Sequence, residues 1–91
     1  MKRILVAHVE NVPGVIARVD GLFRRHSLPV ESFHFDATGP TPARLTVVTR
    51  ASAEAAALVV KQLRRFVGVK DAHEAAHEPV HENVARLRPA G

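Results

Sequence analysis

The apolar residues of this chain switch repeatedly between a period of two and a period near 3.6, and the order of the switches leaves few folds open. Residues 4–9, Ile-Leu-Val-Ala-His-Val, form an apolar run rich in β-branched side chains and read as a central strand. Asn11-Val12-Pro13-Gly14 breaks it. From Gly14 onward Val15, Ile16, Val19, Leu22 and Phe23 recur at i, i+1, i+4, i+7 and i+8, one apolar face of a helix. That helix is predicted to end at His26-Ser27, because the residue before Pro29 is biased out of the helical region. Over residues 30–37 Phe33, Phe35 and Ala37 alternate with Ser32, His34 and Asp36, the period of a half-buried strand. Pro29 and the polar alternate residues favour an edge position for it.

Thr38-Gly39-Pro40-Thr41-Pro42 reads as a loop, and residues 44–50 as a third strand with Leu45, Val47 and Val48 as its apolar content. Ser52 suits the N-cap of a second helix, with Glu54 in the first turn where negative charge helps. Ala55, Val59, Leu63 and Phe66 follow at helical spacing, and Gly68 is a plausible stop. Residues 67–72 read as a fourth, shorter strand.

Strand, helix, strand, strand, helix, strand is two βαβ units joined by a loop. Right-handed crossovers put both helices on one face of a four-stranded antiparallel sheet, an α+β, ferredoxin-like βαββαβ fold. The first and third strands are predicted to be central, the second and fourth at the edges. Ninety-one residues suffice for one domain of this kind, assigned to residues 1–72, with a polar tail over 73–91. In that tail Val84 and Leu87 share a stripe, while Pro79 and Pro89 limit any helix.

Composition narrows the function classes. Without cysteine there is neither a disulfide framework nor a thiolate metal site. No apolar run approaches the ~20 residues that span a membrane, and Ile4 to Ala7 is too short for a signal peptide, so the expected setting is the cytoplasm. The net charge of +4 is spread along the chain. The paired arginines, Arg24-Arg25 and Arg64-Arg65, fall near predicted helix ends, where they complement the dipole. Nucleic-acid binding through the sheet needs aromatics on the open face, and Phe33 and Phe35 are expected to point at the helices.

The segment with chemical content is Glu10-Asn11-Val12-Pro13-Gly14-Val15. A central strand ends, a tight turn follows, and a helix begins with no side chain at Gly14 to obstruct its first amides. Those amides carry partial positive charge and accept a carboxylate, at about 0.3–2 kcal/mol. Asn11 can accept from an ammonium or donate to a carboxylate. The plainer reading is that Asn11 caps the helix while Pro13 and Gly14 shape the turn.

Val9-Glu10-Asn11-Val12-Pro13-Gly14-Val15, followed by Ala17-Arg18-Val19-Asp20-Gly21-Leu22-Phe23-Arg24-Arg25, closely resembles the opening of the acetohydroxyacid synthase (acetolactate synthase) small regulatory subunits, an ACT-domain family. The likeness continues through Val30-Glu31-Ser32-Phe33, Arg44-Leu45-Thr46-Val47-Val48, Lys61-Gln62-Leu63 and Val67-Gly68-Val69-Lys70. The resemblance implies a chain that is not itself an enzyme and carries no cofactor. It implies a homodimer joined through second-helix and edge-strand surfaces, and a catalytic large subunit, dependent on thiamine diphosphate, as partner. It also implies a feedback amino acid, valine in most cases, at the dimer interface. Asn11 and Gly14 match the family's ligand-contact positions; Val12, Val15 and Ile16 would line the side-chain pocket, closed by the partner's Val30. An aliphatic lining suits a branched side chain, at about 0.8 kcal/mol per buried methylene. Two features depart from the family. Leu28-Pro29-Val30-Glu31-Ser32 stands where Phe-Asn-Ile-Glu-Ser is frequent, which removes a polar contact. The second, C-terminal domain that many relatives carry is not expected here, which resembles the short form of the subunit. The alternative reading is a free-standing ACT amino-acid sensor acting on another enzyme or regulator.

His73-Glu74-Ala75-Ala76-His77 matches H-E-x-x-H, with His81 as a conceivable third ligand. Zinc chemistry there needs a continuous helix with both imidazoles on one face. Here the motif opens at the end of a predicted strand and Pro79 follows it closely, so no metal centre is expected. His8 and His34, in predicted strands, are read as packed or interface residues.

Overall fold

A computed structural model describes residues 1–10, 14–36 and 43–77. The elements run β1 (Lys2–Val9), α1 (Val15–Arg25), β2 (Val30–Asp36), β3 (Ala43–Arg50), α2 (Ala53–Leu63) and β4 (Val69–Ala75). They form one sheet in the order β2-β3-β1-β4, with every neighbouring pair antiparallel. The central and edge strands are those that the apolar pattern predicts. This is the ferredoxin-like βαββαβ arrangement of an ACT domain. The expected loop over 38–42 lies outside the described residues.

The core lies between the sheet and the two helices. Leu5, Ala7 and Val9 of β1 and Ala43, Leu45 and Val47 of β3 meet Val15, Val19, Leu22 and Phe23 of α1 and Ala56, Val59, Val60 and Leu63 of α2. Phe23 is fully buried, and one such side chain contributes about 1.5–3 kcal/mol. Phe33 and Phe35 pack against the same core from β2, opposite Val47 and Leu45. Both thus point at the helices, as their alternation predicts.

Local chemistry explains the element ends. Ser52 Oγ accepts from the Ala55 amide at 3.1 Å, and Glu54 sits in the first turn. α1 closes on a Schellman motif: the Leu28 amide donates to Phe23 at 2.9 Å and the Ser27 amide to Arg24 at 3.0 Å. Ser27 occupies the left-handed position with φ of 56°, where glycine is usual. At the far end of α2, Arg64 Nε donates to the Ala72 carbonyl at 2.9 Å, tying the helix to β4. Between them Gly68 turns with φ of 92°. A Cβ there would lie 3.4 Å from Val15 Cγ2, an ordinary contact, so it is the left-handed backbone and not lack of space that selects glycine.

Two boundaries differ from expectation. α2 ends at Leu63 instead of continuing to Gly68, since the amides of Arg65, Phe66 and Val69 bond three residues back. β4 runs from Val69 to Ala75, three residues past the end expected for the domain. The cause is register: β1 starts at Lys2, and its Ile4 and Leu5 pair with Ala75 and Glu74. Arg3 Nη1 fixes this extension through Glu74 Oε2 at 3.1 Å.

Candidate functional site

Gly14 holds φ of 89° and ψ of −12° at the N-cap of α1. Without a side chain it makes no cap hydrogen bond, and its carbonyl accepts from the Arg18 amide at 3.0 Å as the helix begins. No described residue accepts from the amides of Val15, Ile16 or Ala17. Such amides form the electropositive end of the helix. Asn11 and Val12, the other expected contacts at this turn, lie outside the described residues. On the strand side, the Glu10 amide donates to the Gly68 carbonyl at 2.7 Å, and Lys70 Nζ meets Glu10 Oε1 at 3.1 Å. Glu10, at the end of β1, is thereby tied to the start of β4.

Beside the first turns of α1 lies an open groove of about 370 Å³, lined by Ile16, Ala17, Asp20, Val30 and Phe33. Its size is at the lower end of small-molecule sites, roughly 300–1,000 Å³. Ile16, Ala17, Val30 and Phe33 make it apolar, while Asp20 adds one carboxylate, which pairs with Arg24 Nε at 3.0 Å. Of the expected pocket residues, Ile16 and Val30 come together here, and they do so within one chain. Val15 does not join them, because it turns into the core at 3% exposure. One residue along a helix is a rotation of about 100°, enough to separate Val15 in the core from Ile16 in the groove. Ala17, Asp20 and Phe33 complete the lining beyond the residues that the sequence singles out. Asp20, four residues after Ile16, was readable as its neighbour on the helix surface; nothing in the pattern of β2 distinguished Phe33 from the core-facing Phe35.

Pro29 sets the position of Val30. Its carbonyl accepts from Thr49 Oγ1 at 2.7 Å and from the Arg50 amide at 3.3 Å, anchoring the start of β2 to β3. The register then slips between Val30 and Ser32, and Glu31 reaches Arg50.

The H-E-x-x-H match does not lie on a helix. His73, Glu74 and Ala75 belong to β4, where successive side chains point to opposite faces. Glu74 pairs with Arg3, while His73 stacks on His8 with ring centroids 6.2 Å apart and lies 3.4 Å from Asp71 Oδ2. Among the described residues no group of three or more acidic or histidine side chains is arranged to hold a metal ion. His81 is outside the described residues. Of the strand histidines, His34 is packed at 2% exposure, and His8 is partly exposed beside Asp71. No helix among the described residues is long and apolar enough to cross a membrane.

Known proteins resemble both the sequence and the fold. The family described as AHAS small subunit-like ACT domain matches residues 5–71. The probable acetolactate synthase small subunit of Archaeoglobus fulgidus is 33% identical over 89 residues, which is 97% of this chain and 56% of that protein. The acetolactate synthase small subunit of Haemophilus influenzae is 37% identical over 70 residues, 76% of this chain and 43% of that one. The chain spans about half the length of these curated relatives. Among solved structures, the acetolactate synthase small subunit from Thermotoga maritima superposes with a TM-score of 0.72 at 23% identity, covering 81% of this chain and 47% of that chain. The ACT domain from GTP pyrophosphokinase of Chlorobium tepidum gives 0.68 at 11% identity, covering 82% and 97%. At these identities the two structures speak to the fold alone.

Proposed function

Because this chain belongs to the acetohydroxyacid synthase small-subunit-like ACT-domain family, we propose that it is a non-catalytic regulatory subunit of acetolactate synthase. It binds a small aliphatic amino acid, valine first among them, and through it controls a catalytic large subunit in branched-chain amino-acid synthesis. The observation that carries this reading is the apolar groove of Ile16, Val30 and Phe33, which begins at the electropositive start of α1. A zwitterionic amino acid has the matching halves. Its carboxylate goes to the amides near Gly14, with Asn11 as a further polar contact and Val12 beside it, and its side chain goes to the groove. Each methylene buried there adds about 0.8 kcal/mol.

Control of a separate enzyme requires that the ligand favour one arrangement of the complex over another. A second copy of the chain, forming a homodimer at the open side of the groove, is the element whose position the ligand biases.

Two titrations test this. Calorimetry with valine, leucine and isoleucine is expected to show saturable binding that Asn11→Ala and Ile16→Asp each weaken at least about tenfold. Mixing with the catalytic subunit at micromolar concentration is expected to yield a complex on gel filtration. A folded sample that binds none of the three amino acids and no catalytic subunit refutes the proposal. The alternative reading is a free-standing ACT sensor serving another enzyme or regulator. Amino-acid binding without catalytic-subunit binding selects it.

A further inference from the structure

The groove beside α1 is apolar except at one place. Ile16, Ala17, Val30 and Phe33 line it with carbon, and Asp20 adds a carboxylate. Aspartate ranks low as a helix former, and a carboxylate set among apolar neighbours loses hydration unless a cation or donor faces it. Arg24 meets only part of that need. Its Nε reaches Asp20 Oδ2 at 3.0 Å from the next turn of α1, on the side opposite to Ile16. Both side chains remain in water, Arg24 at 81% and Asp20 at 40% exposed. An exposed i, i+4 pair of this kind contributes little and is easily exchanged. Among the described residues Asp20 Oδ1 has no partner.

The place of this carboxylate suits one ligand group. Asp20 follows Ile16 by four residues, about 40° round the helix and about 6 Å along it. Its Cβ leans back toward the start of the helix. The carboxylate therefore stands about one turn beyond the amides of Ile16 and Ala17, with the groove alongside. A ligand with its carboxylate at those amides and its side chain against Val30 and Phe33 has its α-carbon between them. Neither the amides nor the apolar wall registers whether that carbon carries an ammonium. A negative charge on the groove does, and Asp20 is the one charged residue of the lining.

We infer that Asp20 receives the α-ammonium of the bound amino acid in exchange for Arg24, and so makes the groove select an amino acid over the acid that lacks the amine; this rests on the amino-acid reading of the groove. An ammonium within about 4–6 Å of the carboxylate is held by it. A ligand that brings a carboxylate without an ammonium meets only repulsion there.

Calorimetry on the full chain with valine and with isovalerate, which is valine without its ammonium, tests the assignment. The unchanged chain is expected to prefer valine at least about tenfold. Asp20→Asn keeps the size of the side chain and removes its charge. It is expected to weaken valine at least about tenfold and to bind isovalerate as well as before or better, so that the preference collapses. Arg24→Gln removes the competing cation and is expected to tighten valine about twofold. Circular dichroism checks that each variant is folded. Valine bound equally by the unchanged chain and by Asp20→Asn overturns the inference and leaves the amino-acid reading standing. So does a parallel loss of both ligands in Asp20→Asn, the mark of a structural role. A loss in Arg24→Gln as large as that in Asp20→Asn also overturns it, because it assigns Asp20 to the helix pair alone. An unchanged chain that binds neither ligand overturns it together with the valine reading of the groove.

Discussion

Gly21 sits inside α1, where a glycine costs about 0.8–1.0 kcal/mol relative to alanine. A tight fit within the monomer is one reason to keep it, and close approach by a second chain is another. The structure separates the two. A Cβ built at Gly21 meets no described atom within 4 Å, and at 100° per residue position 21 points away from Val15, Val19, Leu22 and Phe23, the buried stripe. Gly21→Ala is therefore expected to stabilise the dilute protein by the full propensity difference, about 1 kcal/mol, or roughly 4–8 °C in Tm for a domain of this size. If a partner backbone rests on this spot, the same methyl weakens the dimer by about 1–3 kcal/mol of overpacking, tenfold or more in Kd. Urea melts at low concentration read the first effect and sedimentation velocity across a concentration series reads the second. A dilute protein made less stable would refute the reasoning about the monomer. A stabilised protein with unchanged association would show that no second chain approaches Gly21.

Three further outcomes follow from single features. Ser27→Gly relieves a left-handed residue in the α1 Schellman turn and is expected to raise stability by about 1 kcal/mol in urea unfolding. Thr46 Oγ1 is buried with no hydrogen-bond partner among the described residues, so Thr46→Val is expected to be neutral or stabilising by about 1 kcal/mol, readable as a rise in Tm. Ile16→Asp puts a charge into the groove but leaves the core residues in place, so amino-acid affinity is expected to fall at least about tenfold by calorimetry while the circular dichroism spectrum stays unchanged.

The fold was legible because its elements differ in period. The continuous apolar run of β1, the i, i+4, i+7 stripe of α1 and the alternation of Phe33 and Phe35 each permit one secondary structure, and together they permit one strand order. What escaped was whatever depends on a partner in space. The apolar pattern ends β4 at residue 72, because His73 and Glu74 have the polarity of a tail; paired to β1, with Glu74 held by Arg3, they are edge-strand residues. Val15 and Ile16 are equally apolar, and only the angle of α1 on the sheet sends the first to the core and the second to the groove. Likewise Val6 and Val48 face away from both helices, a fact that no one-dimensional pattern contains until the strands are in register.

Ala17 links the groove to the glycine. Successive steps of 100° put Ile16 and Asp20 on the flank of α1 beside its buried stripe, Ala17 on the outer face, and Gly21, four residues after Ala17, further round that outer face. A second chain that extends from Gly21 across Ala17 to Asp20 would also roof the opening above Ile16 and Val30. An amino acid in the groove would then touch both chains, and its binding and their association could not be independent. By reciprocity, whatever factor the ligand adds to dimer affinity, the dimer adds to ligand affinity. A ligand confined to one chain would leave its side chain half in water, because the groove is open, and would gain only part of the transfer energy of its methylenes. Selectivity for a branched side chain over alanine thus has to come from the roof, and a lone chain should discriminate poorly even where it binds.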